Sequence, residues 1–242
     1  MQFIGIHLIQ LVREIASPPH STLATLDGAG RVVDVRNAAD DEGILGALPP
    51  PPALVVIDAP IFVPNTRGRR TAEDILAWCD INVFPASRER LSRVYGGLRG
   101  ERLASRLDAA GYAVQESYPE VVLRQLEWES DHEGQPPLAL RDYREAWIAL
   151  RGPKYASRHG ELGAAGARRR AVELLGMEKG DSLDHPGAIA SLACAYAGLR
   201  SARPDLGGTL VLPVGGDRAI VLPAGPELLS RAAIHLERLS GE

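Results

Sequence analysis

Cysteine is nearly absent from this sequence: the chain holds two, Cys79 and Cys194. They lie far apart and form no CxxC pair. So small a number suits a reduced, cytosolic protein, and each thiol reads as a buried packing group rather than a reactive one. Long apolar runs are missing too, since none approaches the ~20 residues of a membrane span. The opening stretch MQFIGIHLIQLVREI has an apolar core but no basic region ahead of it and no small-residue cleavage site. It reads as a first strand and not as a signal peptide. An excess of positive charge is also lacking. The formal net charge is −4, so the surface as a whole does not attract polyanions, and nucleic acid would have to meet local basic clusters. There is no internal repeat, no low-complexity segment beyond one proline run, and nothing like a dedicated sequence-reading module. What remains is an ordinary soluble composition, 45% hydrophobic and 24% charged, in 242 residues. A chain of this size buries roughly 70–75% of its unfolded surface and needs no staple.

The segment that organises the rest is Ala53–Pro64, ALVVIDAPIFVP. Leu54 to Ile57 is an apolar, mostly β-branched run suited to a strand buried on both faces. It stops at Asp58, after which Pro60 and Pro64 forbid further ladder pairing. Asp58 thus ends a central strand at its carboxyl edge, where open α/β sheets bind ligands. A competing reading makes it a turn or helix cap.

Upstream, Phe3–Ile9, Ser21–Leu26 and Arg31–Val35 read as three strands of an antiparallel meander, the last two joined by the turn Asp27-Gly28-Ala29-Gly30. Gln10–His20 is a polar connection. Ala38–Ala47 reads as a short helix, closed by Pro49–Pro52. Downstream, Thr71 to about Cys79 reads as a helix with Thr71 as its cap. A longer helical region follows Ser87, broken at Gly96-Gly97 and stopped by Gly111. Tyr112–Ser117 is a fifth strand, and Pro119 opens another helix. Beyond it, Leu138–Leu150, Leu162–Leu175 and Pro186–Leu199 are helices, with Gly134–Pro137 the best boundary candidate. Thr209–Pro213 and Ala219–Pro223 form a hairpin, and Pro226–Leu239 is a last helix. Meander, helix, strand, helices, strand, helices is the order of a ribonuclease H-like α/β domain. The expectation is one domain over residues 1–242, with a five-stranded mixed sheet of three antiparallel and two parallel strands flanked by helices.

That architecture suggests a two-metal site. Mg²⁺ or Mn²⁺ ions take carboxylate oxygens, and two of them ~4 Å apart stabilise both the attacking and the leaving oxygen of a phosphodiester. The carboxylate candidates are Asp58, Glu116, Glu120, Asp181 and Asp184. Three of them have a plainer reading besides that given for Asp58. Glu116 suits a solvated strand end, Glu120 the first turn of a helix, and Asp184 a cap for the helix at Pro186. Phosphate could be held by Arg67, Arg69 and Arg70, which follow the Asp58 strand, or by Lys154, Arg158 and His159. The Arg168–Arg170 run reads as a solvated helix face. Trp78, Trp128 and Trp147 read as core or subunit contacts.

IDAPIFVPN, FPAS, LRGERLASRLDAAGYAVQESYPEVVLRQL, DHPGAIASLACAYAGL and the hairpin with its VLP resemble a widespread uncharacterised microbial family. It is catalogued as domain of unknown function four-two-nine and described as predicted ribonuclease H-like nucleases. The likeness covers nearly the whole chain. It implies the same fold and a divalent-metal phosphodiesterase site; on the candidates above, the ligands of such a site would be Asp58, Glu116 and Asp184, with Arg69, Arg70 and Lys154 on phosphate. The sequence departs from the family at two ligand positions. Gly5-Ile6-His7 stands where members have Gly-Ile-Asp, and Gly187–Ala190 stands where many carry aspartates. His7 then becomes the first-strand ligand, one that suits Mn²⁺ better than Mg²⁺.

Three functions follow. The first is metal-dependent hydrolysis of nucleic acid or another phosphoester. The second is a non-catalytic nucleic-acid-binding, anion-binding or scaffold protein on the same fold, its metal site decayed at His7. The third is phosphotransfer, which wants a glycine-rich phosphate hairpin. Residues 10–20 contain no glycine, and this counts against it. The chain leaves a homo-oligomer open.

Overall fold

A computed structural model describes residues 1–9, 20–132 and 185–240. The strands are β1 (Gln2–His7), β2 (Ser21–Leu26), β3 (Val32–Ala38), β4 (Ala53–Ile57), β5 (Ala113–Glu116), β6 (Thr209–Gly215) and β7 (Arg218–Pro223). The described helices are α1 (Asp41–Ala47), α2 (Thr71–Trp78), α3 (Arg88–Tyr95), α4 (Arg99–Ala109), α5 (Pro119–His132), α6 (His185–Ala202) and α7 (Pro226–Ser240). They surround one mixed sheet of order β3-β2-β1-β4-β5-β7-β6.

The meander forms as expected. β2 pairs antiparallel with both β1 and β3, and the Asp27 carboxylate ties the β2–β3 turn by accepting from the Ala29 and Arg31 amides at 2.8 and 2.9 Å. β4 and β5 lie parallel to β1. The sheet has seven strands, however, not five. The terminal hairpin docks on β5 through a parallel pairing at Glu116 and Ile220 and extends the sheet by two strands. The driving force is apolar. Leu210, Leu212, Ile220, Val221 and Leu222 are buried in the same cluster as α6, and each side chain of this size contributes ~1.5–3 kcal/mol when withdrawn from water.

Alternation along β4 divides the core between the two faces of the sheet. Val55 and Ile57 pack with Val114 and with Leu103, Ala104 and Leu107 of α4. Leu54 and Val56 pack on the other face against Ile189, Ala193 and Ala197 of α6. The small residues of α6 let its backbone touch β1. A Cβ built on Gly5 would lie 1.7 Å from the Ser191 carbonyl oxygen and 2.5 Å from the Ala195 amide nitrogen. Further along, Gly198 sits on Leu54 and Val56, and Leu199 meets Gly30 in the β2–β3 turn. That turn lies by the start of β1, so α6 runs against β1 and its amino-terminal end points toward His7.

Glycine stops two helices where the sequence predicts. Gly96 caps α3 with φ +78°, and Gly111 follows α4 with φ +89°. At α2 the cap is Arg70 rather than Thr71. The cysteines are free, buried thiols. Trp78 departs from the core reading: it is 47% exposed and rests on His235, with ring centroids 4.9 Å apart. The side chain of Trp128 and all of Trp147 lie outside the described residues. So do 10–19, the boundary candidate 134–137 and the helix candidates 138–150 and 162–175.

Candidate functional site at the carboxyl edge

β1 and β4 run side by side, with Ile6 opposite Ile57, so His7 and Asp58 leave the carboxyl edge of the sheet together. The ladder continues one step further, the Asp58 amide donating to the Ile6 carbonyl at 3.1 Å. Asp58 Oδ1 accepts the Leu8 amide at 2.7 Å, and Oδ2 accepts His7 Nδ1 in a short contact. The Asp58 side chain is 8% exposed and that of His7 27%. These bonds cross from strand to strand, so Asp58 is no cap of its own loop. A carboxylate at Nδ1 fixes the ring and its tautomer, leaving the basic lone pair on Nε2. A histidine that ligates a metal or takes up a proton is commonly held this way. His7 keeps step with Phe3 and Gly5, and Asp58 with Leu54 and Val56, so both belong to the α6 face. The Cys194 thiol of α6 is pushed well up by burial, with the nearby Asp58 charge adding to the effect.

Glu116 is placed differently. It ends β5 opposite Ile57, but in step with Val114, on the α4 face. Its side chain is fully buried and its oxygens accept Arg70 Nη1 and Nη2 at 2.8 and 2.6 Å and the Ile61 amide at 3.1 Å. Arg70 is buried as well. Its remaining donors go to Glu73 Oε1 (2.8 Å from Nε), the Phe62 carbonyl (3.1 Å) and the Tyr118 hydroxyl (3.1 Å). Glu73 in turn accepts the Arg70 and Ala86 amides. Burial works against the Arg70 charge, yet the Glu116 bonds more than offset it and hold the guanidinium above its usual range. Burial raises the Glu73 carboxyl and, with the Glu116 charge, raises the Tyr118 phenol well above the ordinary tyrosine value.

Asp58 and Glu116 therefore do not converge, and Arg70 is enclosed rather than open to a phosphate. Glu120 stands in the first turn of α5. Arg69 is exposed. Asp181, Asp184, Lys154, Arg158, His159 and Arg168–Arg170 lie outside the described residues, Asp184 being the residue before α6. Among the described residues, no three histidine, cysteine, aspartate or glutamate side chains gather as a metal site. Two-ion chemistry needs several carboxylates around one point, and the described residues do not fit it. The Arg70–Glu73–Glu116–Tyr118 cluster was not foreseen. Its only trace in the sequence is one arginine with glutamates three and 46 residues on, a pattern that solvated charges produce equally well.

No described helix is long and apolar enough to cross a membrane. The chain matches no protein-family model, no curated protein and no solved structure.

Proposed function

We propose that the protein is a ribonuclease H-like phosphodiesterase whose centre is the His7–Asp58 pair. The strand order β3-β2-β1-β4-β5, with β1, β4 and β5 parallel, supports the architecture. The observation that carries the reading is the Asp58 carboxylate holding the His7 imidazole at the carboxyl edge of two adjacent parallel strands. In this centre Asp58 orients the ring, and His7 Nε2 takes the proton from the water that attacks phosphorus. Glu116 serves the fold. A Mn²⁺ or Mg²⁺ ion at this edge would have Asp58 and His7 Nε2 as its ligands among the described residues; it would supply charge stabilisation, and His7 would then be a ligand in place of the base. A non-catalytic, anion-binding protein is the second reading. Its support is that both Asp58 oxygens are already taken by internal hydrogen bonds.

The test is hydrolysis of bis(p-nitrophenyl) phosphate with and without Mn²⁺, by the wild type, Asp58→Asn, His7→Ala and Glu116→Gln. Wild-type turnover that falls at least ~100-fold in the first two variants is the expected result. Dependence on Mn²⁺, with a Mn²⁺-induced rise in melting temperature absent from Asp58→Asn, assigns the ion to this edge. Turnover unchanged in His7→Ala, or none in any form, leaves the second reading.

A further inference from the structure

The proposed reaction leaves one strongly charged surface unused. Arg67 and Arg69 lie on the loop that follows the Asp58 strand, and Arg90 and Arg93 lie on α3. Loop and helix form one surface. The Arg88 and Glu89 amides donate to the Asn65 and Thr66 carbonyls at 3.1 Å each. The Asn65 amide group donates to the carbonyls of Arg67, Gly68 and Ala86 at 3.0–3.2 Å. Beneath them Val63, Ala86 and Leu91 close a small core, with Tyr95 against it. Of the carboxylates on this surface, Glu89 is paired to Arg67. Arg69 and Arg93 are exposed and make no hydrogen bond or ion pair among the described residues.

An aromatic ring is set among these cations. The Arg90 guanidinium lies over Phe84, 4.1 Å from the ring centroid, and Tyr95 stands 6.1 Å away at 58°. Phe84 is 37% exposed, and Val94 on α3 is 42% exposed. Arg90 Nε is shielded from solvent and has no hydrogen-bond partner in the described structure. An acidic peptide would satisfy the guanidinium groups but has no use for the ring. A duplex would meet the cations while keeping its base faces stacked away. A single strand offers both phosphates at short intervals and exposed base faces, and cations interleaved with an aromatic platform are what such strands bind.

We propose that the surface formed by the Asn65–Arg70 loop and α3 binds single-stranded nucleic acid, with Arg69 and Arg93 on phosphates and the Arg90–Phe84 stack under a base. This deepens the phosphodiesterase reading by naming its substrate class, and rests on it. In the chain, the loop carrying Arg67 and Arg69 follows the strand end that holds Asp58.

The experiment is fluorescence anisotropy of a labelled oligothymidylate of about 12 nucleotides. It uses full-length Asp58→Asn protein in EDTA, so that binding is read without cleavage. In that background, replacing Arg69 and Arg93 together by alanine should lower the slope of log K against log salt by about 1.4 units between about 50 and 200 mM. Phe84→Ala should weaken binding about tenfold at either salt, and Phe84→Tyr should restore it. No binding by the parent, or Phe84→Ala binding like the parent, overturns the proposal. So does polyglutamate competing as well as unlabelled oligothymidylate, which would point to an acidic protein partner instead. Hydrolysis of bis(p-nitrophenyl) phosphate by the wild type, alongside absent oligothymidylate binding, sinks this proposal and spares the phosphodiesterase. Binding without any hydrolysis does the reverse.

Discussion

Tyr118 is a phenol enclosed between a carboxylate and a guanidinium, and its proton makes the fold sensitive to alkali. Burial first, and the Glu116 charge second, raise it well above the ordinary 10.0. An unfolded chain loses that proton near pH 10, while the native state keeps it. The native state therefore binds more protons above that pH. The stability due to Tyr118 is complete below about pH 10 and declines as pH rises through the folded-state value, by about 1.4 kcal/mol for each unit separating the two. The Cys194 thiol, raised well above 9.0 by burial and by Asp58, acts in the same direction. Comparison with Tyr118→Phe isolates the phenol. Urea unfolding should find the variant about 1 kcal/mol weaker at pH 7, where it lacks the bond from Arg70. Its decline between about pH 10 and 11 should be shallower than the wild type's. An equal decline would show that the native phenol titrates normally. The same neighbourhood shows what can be read from single residues. Asp58 was legible because an apolar run ending in a carboxylate before proline has few outcomes. The burial of Arg70 and Glu116 was not, because neither charge carries a local sign of the partner that neutralises it.

At the scale of the element, α6 packs with its backbone directly on β1, and Gly5 permits it. An alanine methyl there would overlap the Ser191 carbonyl and the Ala195 amide, both backbone atoms that cannot rotate away. Gly5→Ala should cost about 3 kcal/mol or more. Gly46 in α1 is the control: a Cβ there meets nothing within 4 Å, and Gly46→Ala should gain about 0.5–1 kcal/mol by the helix preference of alanine. Denaturant midpoints of the two variants decide it, and a Gly5→Ala protein as stable as the wild type would show that α6 can lift off β1. Most elements were legible because each carries its own punctuation: Asp27 and Gly30 in the first turn, Gly96 after α3, Gly111 after α4. The place of the hairpin was not. It joins β5 at Glu116 and Ile220, and two alternating strands look the same whether they extend a sheet or stand apart from it.

At the scale of the molecule, that docking sets how much of the chain folds as a unit. Backbone pairing alone would make β6 and β7 a separable appendage. Packing argues otherwise. Leu210, Leu212, Ile220, Val221, Leu222 and Ala224 belong to the cluster that also holds β1, β2, β4, α2, α5 and α6. The Ser117 hydroxyl donates to the Val221 carbonyl at 2.7 Å, and the buried Arg200 guanidinium at the end of α6 donates to the Gly208 carbonyl at 2.7 Å. Without the hairpin, α6 would keep its contact with β1 and lose the apolar wall beside it, and Arg200 would lose an acceptor. Six apolar side chains taken from the core remove about 10 kcal/mol, as much as the whole stability of an ordinary domain. A chain ended after Ala202 should therefore show no cooperative thermal transition and no protected core in hydrogen exchange. A cooperative melt from that shortened chain would instead mark the five strands β3-β2-β1-β4-β5 as a self-sufficient unit. The carboxyl edge bearing His7 and Asp58 would then owe nothing to the hairpin.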